Sequence, residues 1–360
     1  MLWDIFCKVI DNHGDIGVCW RLSAQLAARG EKVRLWVDDA SALDWMAAGG
    51  APGVEVMSWQ QQCDAPQCGD VVVEAFGCEL EPAFQRAMAA RAAAAGRQPA
   101  WINLEYLTAE PFAQRNHGLP SPVFAGPAAG LTKYFYYPGF VQQTGGLLRE
   151  QYLLGRQANF ARGEWLRAQG MSPTAARLVS LFCYEPVALA ELLAQLAQSA
   201  EPTLLLVTAG RASAATGAAM ARLERRDPGW NRTGLLSLHH LPPLPQVDYD
   251  HLLWACDLNF VRGEDSLVRA LWAGKPFVWQ IYPQQDDAHH TKLHAFLDWL
   301  DPPDAMRTFF CAWNGIAAPL PPADFEPWAA CAQRARKRLT AQDDLVTQLM
   351  RFVAGKIGRP

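Results

Sequence analysis

Hydrophobic positions in the first hundred residues alternate between two patterns. Short, densely apolar runs at 3–10, 32–37, 54–59, 71–76 and 101–104 predict strands. Between the first two, residues 18–29 place Val18, Leu22 and Leu26 at helical spacing and stop at Gly30, a residue suited to a helix C-terminus. The alanine-rich stretch 82–96 predicts another helix. Strands that alternate with helices imply a parallel sheet covered on both faces.

The alternation lapses over 108–160, where prolines, glycines and the aromatic run Tyr134-Phe135-Tyr136-Tyr137 break the pattern. It then restarts. Strands are predicted at 178–184, 203–208, 235–241, 258–261 and 276–282, with helices at 186–199, 213–226 and 267–273. A last helical run covers about 326–354. The expected architecture is α/β: two Rossmann-like, doubly wound domains facing a cleft. Their bounds are 1–155 and 156–325, and 326–360 crosses back to the first domain. A chain of 360 residues accommodates two such domains.

Composition narrows the class. Half of the residues are hydrophobic, 19% are charged and the formal net charge is −4. That balance leaves no basic face for phosphate neutralisation, so no nucleic-acid partner is expected. No apolar run reaches the ~18 residues of a membrane span and the chain enters a strand at once, which predicts a cytosolic protein without membrane association. The nine cysteines are scattered and contain no CxxC pair, so neither a disulfide framework nor a structural zinc site is expected. Cys63 and Cys68 come nearest to a ligand pair, but no second pair accompanies them.

Ligands of doubly wound sheets sit beyond the carboxyl ends of strands, so the loops there are where chemistry is sought. Asp11-Asn12-His13-Gly14-Asp15-Ile16-Gly17 follows the first strand and lacks the GxGxxG of a dinucleotide site. It offers instead two carboxylates, Asp11 and Asp15, with Gly14 and Gly17 permitting close backbone approach. Asp15 as a helix cap is the bland alternative. Arg262-Gly263-Glu264-Asp265-Ser266 stands between the predicted strand 258–261 and helix 267–273. A helix N-terminus with an adjacent arginine suits a diphosphate, although Asp265 or Ser266 as a plain cap explains part of the pattern. Phe182, Tyr184 and Tyr249 are aromatics near strand or loop ends, placed to stack on a base or simply to fill a core. Gln280 and Tyr282 end a further strand and rank as weaker candidates for the same site.

Three strings carry a resemblance. Trp3-Asp4-Ile5-Phe6-Cys7 with residues 11–18 and Trp20-Arg21-Leu22, then Leu252-Leu253-Trp254 leading to 262–270, and finally residues 272–284 resemble the bacterial elongation factor P arginine rhamnosyltransferases (EarP). The likeness spans essentially the whole chain. It implies a GT-B fold and an inverting, metal-independent transfer of L-rhamnose from TDP-β-L-rhamnose to an arginine of elongation factor P. No cofactor is implied. The first domain is then expected to bind the acceptor protein and the second the donor. By motif position, Asp15 is the implied general base, Asp11 its supporting carboxylate and Glu264 the essential acid of the donor side. Arg262, Gly263, Asp265 and Ser266 surround the diphosphate, while Phe182, Tyr184, Gln246 and Tyr249 form the thymidine pocket. The family often has an aromatic ahead of Gln246 where this chain has Pro243-Leu244-Pro245, which leaves base stacking there to Tyr249.

The implied chemistry is coherent. A guanidinium keeps its proton up to a pKa above ~12 and its lone pairs are delocalised, so attack by its nitrogen needs carboxylates that orient the planar group and take the proton. Two other readings stay open at this level: a GT-B transferase or epimerase of a small-molecule nucleotide-sugar system, and a non-catalytic nucleotide-sugar binding protein.

Overall fold

A computed structural model describes residues 1–10, 13–64, 67–172, 176–284 and 288–357, the side chains of 62–64 excepted. The chain divides into two compact units, Met1–Glu150 with Leu339–Pro360, and Gln151–Arg338.

The first unit contains β1 (Leu2–Cys7), α1 (Gly14–Ala27), β2 (Lys32–Val37), α2 (Leu43–Met46), β3 (Val54–Ser58), β4 (Val71–Ala75), α3 (Pro82–Ala95), β5 (Ala100–Leu104), α4 (Pro111–Asn116), β6 (Pro120–Pro122) and β7 (Thr132–Tyr136). Its seven strands run in the order β3-β2-β1-β4-β5-β7-β6, and only β6 is antiparallel to its neighbour. The aromatic run expected to be irregular therefore supplies a sheet strand. Tyr134, Phe135 and Tyr136 sit opposite Ile102, Asn103 and Leu104 of β5.

Strand periodicity sorts the side chains onto two faces. Trp3, Ile5 and Cys7 join Ile16, Cys19 and Leu22 of α1 in one apolar layer, and Phe6, Trp36 and Phe84 fill the other. Phe6 stacks on Trp36 with centroids 5.6 Å apart. Burial of each such side chain stabilises the fold by about 1.5–3 kcal/mol. Asp4 is fully buried on the second face and fully occupied. Arg34 donates to both of its oxygens at 2.6 and 2.8 Å, Trp36 Nε1 at 2.9 Å and the Gly69 amide at 2.6 Å.

The second unit contains α5 (Leu153–Ala158), α6 (Arg162–Ala168), β8 (Arg177–Leu181), α7 (Leu189–Ala197), β9 (Thr203–Val207), α8 (Arg211–Arg226), β10 (Leu236–His240), α9 (Gln246–Ala255), β11 (Leu258–Arg262), α10 (Gly263–Ala273), β12 (Phe277–Gln280), α11 (Ala288–Leu300) and α12 (Asp304–Trp313). Its five strands are all parallel, ordered β10-β9-β8-β11-β12. The expected terminal helical run is two helices, α13 (Phe325–Thr340) and α14 (Leu345–Ile357). All but the end of α13 belongs to the second unit, while α14 lies in the first.

In each sheet the strand order changes direction beside the first strand of its unit, between β1 and β4 and between β8 and β11. Such switch points open crevices at the carboxyl edge of a parallel sheet. No helix of the described residues is long and apolar enough to cross a membrane. The described cysteines are free thiols, nearly all buried. The side chain of Cys63 lies outside the described residues.

Candidate active site

At the switch point of the first unit, α1 starts four residues earlier than its apolar spacing predicts, at Gly14 rather than Val18. Gly14 and Gly17 are thus helical, and the Gly17 amide donates to the His13 carbonyl at 3.0 Å. His13 is the N-cap residue, so Asp15 is not the cap; it stands in the first turn and is only 3% exposed. Its Oδ2 accepts the Ile10 amide at 2.9 Å, which ties the carboxylate to the end of the β1 segment. The positive end of the α1 dipole favours a negative charge at this place. Asp11, the second expected carboxylate, lies outside the described residues.

At the switch point of the second unit, β11 ends at Arg262 and α10 begins at the next residue. Arg262-Gly263-Glu264-Asp265-Ser266 is therefore a strand end and a first helical turn rather than a loop. Gly263 makes the abrupt change of direction with φ 67°, a conformation that costs a residue with a Cβ. Arg262 is the N-cap residue, so neither Asp265 nor Ser266 caps the helix. Ser266 ties the turn instead. Its Oγ accepts the Arg262 amide at 3.1 Å and donates back to the Arg262 carbonyl.

The Arg262 guanidinium lies 4.5 Å from the ring centroids of both Phe182 and Tyr184, and its Nη1 donates to the Cys183 carbonyl at 3.1 Å. Phe182 in turn meets Tyr249 edge-on at 5.5 Å. Burial pushes the Tyr249 hydroxyl far above the ordinary phenol range and the Cys183 thiol up to about 12. Gln280 is buried, and its Oε1 accepts the Tyr184 amide at 2.8 Å, pinning the segment after β8 to the end of β12. Tyr282, 44% exposed, meets Tyr184 edge-on at 5.5 Å. Gln246 opens α9, and Asp265 is half-buried in the first turn of α10.

Glu264 is held by a cation. Lys292 of α11 places Nζ 2.6 Å from its Oε1. A second arginine also joins the cluster. Arg211, first residue of α8, lies 4.8 Å from the Tyr184 ring and makes a two-pronged pair with Glu185. The fold thus gathers Phe182, Tyr184, Tyr249, Arg262, Ser266, Gln280 and Tyr282 at one sheet edge. Chemically, that edge presents a guanidinium, the positive end of a helix and aromatic faces: groups for an anion joined to a planar base. Among the described residues no group of three or more His, Cys, Asp or Glu side chains is arranged to hold a metal ion.

Residues 3–354 match the family described as Elongation-Factor P (EF-P) rhamnosyltransferase EarP. The chain belongs to that family. It is 42% identical to the protein-arginine rhamnosyltransferase of Pseudomonas aeruginosa, with 98% of each chain covered. It is 37% identical to that of Neisseria meningitidis, over 82% of this chain and 77% of the relative. A solved structure that describes EarP-mediated arginine glycosylation of translation elongation factor EF-P superposes with a TM-score of 0.62 at 31% identity, covering 98% of this chain and 99% of the other. UGT89C1 of Arabidopsis thaliana, complexed with UDP, shares the fold alone, at 12% identity and a TM-score of 0.53 over 99% of each chain. The EarP-family chain is a glycosyltransferase with the GT-B fold, and the expectation drawn from its motifs holds at that level.

Two residues of this candidate site have no motif to announce them. Lys292 stands 28 positions from Glu264, and no local spacing links the two. An acid pair at a helix start signals a need for a nearby cation without saying which one. Arg211 follows the Thr208-Ala209-Gly210 turn after β9, a position that the strand-end rule alone makes eligible.

Proposed function

We propose that this chain transfers L-rhamnose from TDP-β-L-rhamnose to an arginine side chain of elongation factor P, with inversion at the anomeric carbon and without a metal ion. Membership of the EarP family supports the acceptor and the sugar. The observation that carries the donor side is the β11–α10 junction, where Arg262, braced by two aromatic rings, stands at the positive end of the α10 dipole.

In this reading the acceptor guanidinium nitrogen attacks the anomeric carbon from the face opposite the diphosphate. The new C–N bond forms as the bond from carbon to diphosphate oxygen breaks, and the oxygen leaves with the electron pair. Arg262 and the α10 amides receive the charge that develops on that oxygen, stabilisation that a metal supplies in other transferases. Asp15 orients the guanidinium and takes the proton that the attacking nitrogen loses. Glu264, held in place by Lys292, stabilises the oxocarbenium character of the sugar at the transition state. Phe182, Tyr184, Gln246 and Tyr249 surround the thymidine, and Asp11 supports Asp15.

Intact-mass measurement of elongation factor P, incubated with this protein and TDP-β-L-rhamnose without added metal, tests the reading. The expected product carries one deoxyhexose, and the gain disappears when the acceptor arginine is changed to lysine. Asp15→Asn is expected to abolish turnover while the donor still binds. An unmodified factor despite donor binding would overturn the acceptor assignment, and an active Asp15→Asn enzyme would remove Asp15 from the role of base.

A further inference from the structure

Phe76 is a large residue in a backbone conformation that large residues avoid. It follows β4 with φ 58°, inside the left-handed region where a Cβ crowds the backbone. Its amide still donates to the Leu104 carbonyl at 2.7 Å, so the ladder to β5 continues through it. Strand alternation would place its ring with Val72 and Glu74, on the face of Phe6 and Trp36. The left-handed turn sends the ring to the opposite face, into the layer of Val73, Ala75 and Ile16. There it stacks on Tyr106, with centroids 4.7 Å apart and planes 22° from parallel. Phe76 is 8% exposed and Tyr106 37% exposed, so the pair is a buried brace beneath an accessible ring.

Placement gives the pair its meaning. β4 is one of the two strands that flank the first unit's switch point; the other, β1, leads into the turn that carries Asp15. β5, which leads to Tyr106, is the next strand along. Ile16, the neighbour of Asp15, belongs to the same apolar layer as Phe76. Backbone strain that persists in a folded protein is held in place by its surroundings and concentrates at functional sites. Here it orients an accessible phenol ring at the sheet edge that bears the candidate base. A guanidinium is planar and weakly hydrated, and it stacks on aromatic faces; an ammonium of similar charge has no flat face to offer.

We propose that Tyr106, braced by Phe76, is the stacking platform for the acceptor arginine and contributes to the choice of arginine over lysine. The inference rests on the reading of this chain as an arginine glycosyltransferase with Asp15 on the acceptor side. Tyr106 is a positioning and specificity residue in this account, with no proton to transfer, so its ring matters and its hydroxyl does not.

The test uses the full chain and elongation factor P. Binding is measured by calorimetry, and turnover by intact mass with the TDP-rhamnose donor. Tyr106→Ala is expected to raise the KM for the factor roughly tenfold, the scale of a lost cation–aromatic contact, with the KM for the donor unchanged. Tyr106→Phe is expected to restore the wild-type value. In a double-mutant cycle, changing the acceptor arginine to lysine should weaken binding to the wild type severalfold more than binding to Tyr106→Ala. A merely structural role for Tyr106 would move neither the cycle nor the KM for one substrate alone. Unchanged acceptor KM in Tyr106→Ala, an equal loss in Tyr106→Phe, or a cycle with no coupling overturns the platform while leaving the glycosyltransferase reading intact. A wild type that neither binds nor modifies the factor overturns both.

Discussion

Lys292 places its ammonium 2.6 Å from Glu264 across 28 residues of sequence, joining α11 to the first turn of α10. Both side chains are mostly shielded, at 22% and 19% exposure, so the pair is less screened than a surface contact. In the proposed reaction the pair fixes the direction of the Glu264 carboxyl group. Lys292→Met should lower kcat by about ten- to a hundredfold, the scale of a misplaced catalytic group, with a smaller change in the donor KM. Lys292→Arg should recover part of the loss. Steady-state rates with elongation factor P as acceptor decide the matter, and an unaltered kcat in Lys292→Met would remove Lys292 from any part in the chemistry.

Arg262 contacts two rings and the Cys183 carbonyl at once, which holds its fork still before any ligand arrives. A lysine carries the charge but cannot keep the flat face on Phe182 and Tyr184. Arg262→Lys should therefore resemble Arg262→Gln more than wild type. Each should weaken TDP-rhamnose binding by roughly tenfold or more, since a hydrogen bond to a charged group contributes about 1.5–3 kcal/mol. A donor titration by calorimetry reads this directly, and near-native affinity in Arg262→Lys would show that charge alone suffices.

Much of this framework was legible from periodicity, because strands buried on both faces leave dense apolar runs. Residues 32–37 show this best, where the predicted strand and β2 coincide. The features without a sequence signature share a physical cause: a conformation or a partner that local pattern does not encode. Gly263 with two following acids resembles a loop, yet it is a one-residue hinge into α10. Tyr134-Phe135-Tyr136 lacks alternation and ends in Pro138-Gly139, so its pairing with β5 has no local signature. The face on which Phe76 lies follows from a single dihedral. The motif strings point to Asp15, Arg262 and Glu264 as candidates, while Lys292 and Arg211 join the candidate cluster only through tertiary contact.

Asp250 of α9 and Arg269 of α10 form a two-pronged ion pair at 2.7 and 2.8 Å, each side chain only 1% exposed. Arg156 adds a longer contact to the same carboxylate at 3.7 Å. Removing one partner strands a buried charge, so Arg269→Met should destabilise the second unit by about 3–5 kcal/mol. At the usual scaling for a unit of this size, that lowers its melting temperature by roughly 10 °C. The double change Asp250→Leu with Arg269→Met removes both charges and should cost less than Arg269→Met alone. Thermal unfolding of the two variants tests the order, and a double variant less stable than the single one would mean that the pair is worth more than the cost of burying it.

His117 makes the first unit sensitive to acid. Its Nδ1 accepts the Tyr137 amide at 3.1 Å, a bond that requires that nitrogen to be unprotonated, and its ring packs against Tyr136 and Phe352. Burial holds its pKa below the ordinary histidine value. The unfolded chain therefore takes up a proton first as pH falls. The stabilising contribution is complete above the unfolded pKa of about 6.5 and declines as pH drops through that value, until the folded histidine also titrates. Stability of the wild type to heat should accordingly weaken as pH falls from 7 through about 6.5. In His117→Asn, an uncharged replacement, that part of the slope should vanish even though the variant is less stable at neutral pH. A proton-NMR titration of His117 gives an independent reading. A folded pKa at or above the ordinary histidine value would reverse the expected sign and assign the acid sensitivity to other groups.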